Sequence, residues 1–97
     1  MSTSTAWSLT AYTPDTWTPL VQVPADVTSI IVTNTDMLND KLVQVRLGAA
    51  EIAGAQLVPA GDALKLDIKA LPVSAASQLQ IKADAAGLHF TAAGLAQ

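Results

Sequence analysis

Cysteine is absent from this chain, so it has no disulfide framework, no thiolate nucleophile and no cysteine-bound metal. Histidine occurs once, at His89, and one imidazole without cysteine excludes a structural zinc site. Basic residues are few and scattered: Lys41, Arg46, Lys65, Lys69 and Lys82 stand singly in a chain of net charge −3. Nucleic-acid binding requires clustered Lys and Arg to displace counterions, so no nucleic-acid partner is expected. No apolar run approaches the roughly 18 residues of a membrane span, so no membrane partner is expected either. The opening MSTSTAWSLT has neither a basic n-region nor an apolar core of signal-peptide length, which predicts synthesis in a cytoplasm without export by a cleaved signal. The five glycines form neither GxGxxG nor GxxxxGK[ST], so no phosphate-binding loop or cofactor is expected.

Charged residues make up only 13% of the chain, against about a quarter in a typical soluble domain. What fills the sequence instead is 51% hydrophobic residues, many of them alanine, together with Thr, Ser and Gln. The length fits one domain with one core. A surface so poor in charge is suited to being partly covered by a neighbour.

The most legible stretch is Gln56 to Thr91, QLVPAGDALKLDIKALPVSAASQLQIKADAAGLHFT. Leu64, Leu66 and Ile68 alternate with Lys65, Asp67 and Lys69, the period of a half-buried strand. Leu79 and Ile81 alternate with Gln80 and Lys82, and Leu88 and Phe90 with His89 and Thr91. Pro59-Ala60-Gly61-Asp62 predicts a turn before the first strand, Ala70 to Ser74 a break after it, and Asp84-Ala85-Ala86-Gly87 a hairpin turn before the last. The expectation is an antiparallel meander with one wet face.

Upstream, Met1 to Thr5 has nothing to pack and predicts a flexible arm, with a single domain over residues 6–97. Ala6 to Tyr12 alternates with Trp7 and Leu9 on one face and predicts a first strand. Thr16 to Val23 is extended, and Pro19 restricts it to an edge or a break. Val27 to Asn34 carries apolar residues on both faces, Val27 and Ile31 on one, Ile30 and Val32 on the other, which predicts a central strand covered on both sides. Leu42 to Leu47 points Val43 and Val45 inward and Gln44 and Arg46 outward; Gly48 to Gly54 reads as a loop or a short strand around Ile52. No window holds a capped 3.6-residue apolar stripe. The fold class expected is all-β: one small antiparallel β-sandwich, jelly-roll or Ig-like, of seven to eight short strands.

Chemistry has little to stand on. His89 falls on an outward face with no nucleophile in a recognisable context, so an exposed or interface imidazole is the reading and no catalytic residue is expected. Asp36, Asn39 and Asp40 in NTDMLND lack the spacing of a calcium loop and read as a solvated turn, and no metal is expected. Trp7, Tyr12 and Trp17 are the candidate interface residues, as core rim, subunit contact or stacking platform for a sugar.

The order TSIIVTNT (Thr28 to Thr35), then the Pro59-Ala60-Gly61 turn, then LQIKADAAGLHFTAAG (Leu79 to Gly94) resembles the small β-sandwich virion structural proteins of tailed bacteriophages. It departs from that pattern at Ala76-Ser77, where a Gly-Asp pair would precede the penultimate strand. The resemblance implies a non-enzymatic capsid decoration (cement) protein located in the virion, with the major capsid protein or other virion subunits as partners and a homo-oligomer, a trimer on three-fold sites, as its state. A neck or tail accessory subunit is the alternative within that family. Outside it stands a carbohydrate- or receptor-binding module using Trp7, Tyr12 and Trp17.

Overall fold

The computed structural model describes residues 3–97. Eight strands run β1 (Thr3–Leu9), β2 (Thr18–Val21), β3 (Ala25–Asn34), β4 (Lys41–Leu47), β5 (Ala50–Val58), β6 (Ala63–Val73), β7 (Leu79–Ala83) and β8 (Leu88–Ala96). They form two four-stranded antiparallel sheets, β1-β8-β3-β6 and β2-β7-β4-β5. The pairs β1·β8, β2·β7, β3·β6 and β4·β5 are nested like the rungs of one long hairpin whose tip is the β4–β5 turn. Rolling that ribbon so that β8 meets β3 and β7 meets β4 generates both sheets. This is the jelly-roll order, which resolves the sequence alternatives in its favour over an Ig-like one.

The topology corrects the expected meander. β6 and β8 lie in one sheet and β7 in the other, so the segment from Gln56 to Thr91 crosses repeatedly between layers. Asp84 to Gly87 is an arch between sheets, and β4–β5 is the sole hairpin between consecutive strands among the described residues. Alternation and turn residues are the same for a hairpin and for an arch, because both need one buried face and a reversal; only the pairing partner differs.

Strand β3 shows a second correction. Between Val27 and Ser29 the register slips against both β6 and β8. The irregularity changes the phase of the strand, so Val27, Ile30 and Val32 are all buried while Ile31 is exposed. The two-faced pattern in the sequence therefore encodes a phase break and not a strand covered on both sides.

Further boundaries move in the same sense. Thr3, Ser4 and Thr5 pair with Ala96, Leu95 and Gly94, so the arm expected over residues 1–5 is in part the start of β1; Met1 and Ser2 lie outside the described residues. Strand β1 ends at Leu9, short of Tyr12. The uncertain stretch after Gly48 is a full strand, β5. Strand β6 continues past the expected break to Val73 and carries Pro72 because it is an edge, where a missing N–H costs no ladder bond.

The core lies between the sheets. Val27, Ile30, Val32, Leu88, Phe90 and Ala92 from one layer meet Val21, Val43, Val45, Val58, Leu79 and Ile81 from the other. Each full burial of such a Val, Leu, Ile or Phe side chain contributes about 1.5–3 kcal/mol. Trp7, Leu9, Tyr12, Leu64, Leu66 and Ile68 pack around that centre without full burial. The inward leucines of β6 are only half-buried.

Candidate functional site

The three aromatic candidates fall in different environments. Trp7 sits on the inward face of β1 and packs against the core. Tyr12, in the loop before β2, sets its ring edge-on against Phe90, with centroids 5.5 Å apart and planes at 77°. Its hydroxyl donates to the Ala85 carbonyl at 2.7 Å and accepts the Leu88 N–H at 3.1 Å. Burial pushes the phenol above its ordinary value of 10.0, against the pull of the Leu88 N–H, with Asp84 adding a further push upward. The Tyr12 hydroxyl is thus engaged within the fold both as donor and as acceptor.

Trp17 differs. It precedes β2 and is not part of the packing around the core. The Arg46 guanidinium carbon lies 4.2 Å and the Lys82 ammonium 5.1 Å from its ring centroid. Arg46 also donates from Nε to Gln80 Oε1 at 2.6 Å, so stacking and hydrogen bonding together fix the guanidinium plane. Beside it opens a shallow groove of about 310 Å³ lined by Arg46, Gly48, Ala75, Ala76, Gln78 and Gln80.

The loop between β3 and β4 is the second built feature. Asn34 is buried at the end of β3; its amide donates to Asn39 O at 2.8 Å and Val58 O at 3.1 Å, and its side-chain oxygen accepts the Asp36 N–H at 3.0 Å. Asp36 takes the N–H of Leu38 at 2.8 Å, the Asn39 side-chain amide at 3.0 Å and the Asn39 N–H at 3.3 Å. The Leu38 N–H, the Asn39 amide and the nearby Lys41 ammonium, 3.5 Å away, hold its carboxyl down at about 2. Lys41 is itself buried and donates to the Ala86 carbonyl at 2.6 Å. Asp40 accepts the Ala60 N–H at 2.9 Å. The acidic side chains of NTDMLND therefore brace a loop, and no group of three or more metal-ligating side chains gathers among the described residues.

What this bracing presents is apolar. Met37 and Leu38 at the loop tip are 76% and 88% exposed. Met37 lies over Gly61, whose φ of +70° and position in the Pro59–Asp62 turn fit the glycine site of a type II turn. Nearby, at the start of β4 and the end of β5, Leu42 and Leu57 are cross-strand partners, 42% and 53% exposed. One end of the sandwich thus carries four large apolar side chains in water on a fixed backbone. In the sequence, Asp36, Asn39 and Asp40 read as a solvated turn with Met37 and Leu38 in its midst, and spacing alone gives those two residues no site role. Two large apolar residues inside a polar turn were the signal.

His89 faces solvent from β8, opposite Thr33 of β3. Compared with protein families, with curated proteins and with solved structures, the chain matches none.

Proposed function

We propose that this protein is a non-enzymatic structural subunit of a virus particle, a capsid decoration protein that docks on the shell through the apolar end of its sandwich. The observation that carries the reading is the braced loop displaying Met37 and Leu38. A chain that spends Asn34, Asp36 and Asn39 on holding two apolar side chains in water has built a contact in advance. Association then requires little further ordering, which favours binding. Burial of Met37, Leu38, Leu42 and Leu57 against a shell subunit would stabilise the particle by mass action. The jelly-roll order supports the reading as an architecture that virion proteins use.

The test is the copy number of the protein in purified particles, measured by quantitative mass spectrometry against the major shell protein. A number comparable to the shell protein is expected. A few copies per particle would move it to the neck or tail, and complete absence would overturn the virion reading.

A second reading draws on a separate observation. Arg46, Gln78 and Gln80 border one groove on the β2-β7-β4-β5 sheet, and Trp17 stacks against Arg46 beside it, a combination suited to a carboxylate-bearing sugar. A glycan array with Trp17→Ala as control decides it: binding lost in the variant supports this reading, and no binding removes it.

A further inference from the structure

We propose that β6 is a self-complementary edge, and that two copies of this chain join through antiparallel β6–β6 pairing centred on Leu66. The proposal is independent of where the protein acts. Strand β6 is hydrogen-bonded on one side to β3 and, among the described residues, has no strand on the other. From Ala63 to Lys69 its exposure alternates without interruption, with Leu64, Leu66 and Ile68 inward and Lys65, Asp67 and Lys69 in solvent. The inward residues are only half-buried, and Leu66, Ile68 and Leu71 line a groove of about 370 Å³ together with Ile52 of β5.

Charge sets the register. Side chains share a face only when paired residues have the same parity, so the registers open to a two-fold pair are discrete. Centring on Leu66 places Lys65 opposite the second copy's Asp67, and Asp67 opposite its Lys65. It also places Leu64 opposite Ile68 and Leu66 opposite itself, so both faces match at once. Centring on Asp67 sets Asp67 against Asp67 and Lys65 against Lys69. Centring on Lys65 sets Lys65 against itself. Centring on Ile68 sets Leu64 against Pro72, which lacks a donor, and runs into the irregularity that separates Asp67 from Leu71 in the β3 ladder. One register satisfies charge, apolar packing and backbone together.

The other edges lack this design. β5 carries two register shifts against β4, and β2 is four residues long with Pro19 within it. β1 is regular but uncharged, so nothing in it fixes a register. A lysine on an edge ordinarily repels another edge. Here Asp67, two positions along, turns that repulsion into a match. Within one copy, Lys65 and Asp67 pair at 3.5 Å in solvent, a contact worth little by itself and free to rearrange. The β6 contact is isologous and closes at two copies; a three-fold assembly would need a different surface.

Sedimentation velocity and light scattering on the full chain test this. The wild type is expected to dimerise reversibly. Lys65→Asp and Asp67→Lys each set like charges opposite one another and are expected to weaken the dimer by more than about 100-fold. The double variant Lys65→Asp/Asp67→Lys restores the match and the dimer. An equimolar mixture of the two single variants forms a heterodimer, because each supplies the charges the other lacks. Far-UV circular dichroism confirms that each variant is folded. A monomeric wild type, an oligomer indifferent to the single substitutions, or failure of both the double variant and the mixture to recover it would overturn the proposal.

Discussion

Tyr12 stands edge-on to Phe90, and the same residue bolts the β1–β2 loop to the β7–β8 arch through its hydroxyl. The aromatic contact and the two hydrogen bonds separate cleanly by substitution. Tyr12→Phe keeps the ring against Phe90 and leaves the Ala85 carbonyl and Leu88 N–H without the hydroxyl. A loss of about 1–3 kcal/mol is expected in urea unfolding at neutral pH. The raised phenol adds a sign: its contribution is full below the ordinary value of 10.0 and is lost as pH rises through the higher folded value. The gap between wild type and variant should therefore narrow in alkali.

Gly94 is required for a different reason. It lies in β8 where β3 carries its register shift, and a Cβ there would strike the Asp26 carbonyl and come within 2.8 Å of Val27 Cα. These are backbone atoms held in two ladders, so they have no rotamer with which to give way. Gly94→Ala is expected to cost about 3 kcal/mol or more, read from the midpoint of denaturant unfolding. A cost within the error of the measurement would mean the ladders part easily at this rung.

Asp36 ties stability to acid. Its carboxyl is held from an ordinary 3.8 down to about 2, so its stabilising contribution is full above 3.8 and disappears as pH falls through about 2. Asp36→Ala should melt below the wild type at neutral pH, with the difference shrinking across that acid window. A difference constant with pH would show that the charge plays no part in bracing the loop.

Met37 and Leu38 carry the proposed docking. Because both are exposed, Met37→Ser/Leu38→Ser should change folding stability by only about 0.5 kcal/mol or less. Attachment to the particle, measured by co-sedimentation with shells lacking the protein, should fall sharply. Unchanged attachment would remove this end of the sandwich as the contact.

Much of the architecture is legible in the residues. Alternation at Leu64-Leu66-Ile68, Leu79-Ile81 and Leu88-Phe90 located β6, β7 and β8, and Pro59-Ala60-Gly61-Asp62 located the turn before them. Those features are local: a period of two and a glycine at positive φ depend on neighbours in sequence. The phase break in β3 was visible only as an apparent second apolar face at Ile31. The site was harder still. That Trp7 and Tyr12 face the core while Trp17 lies under Arg46 follows from the layer each one joins.

The sequence by itself determined that this chain is a small all-β sandwich with one core, and which residues of most strands face that core. Only the tertiary structure decided that the strands nest into a jelly roll, with β6, β7 and β8 divided between two sheets. It also decided that Met37, Leu38, Leu42 and Leu57 collect at one end. The reason is physical. An inward-facing side chain is specified by water, which acts on each residue where it stands. A strand's partner is chosen by the global packing of all eight, between alternatives that bury the same residues.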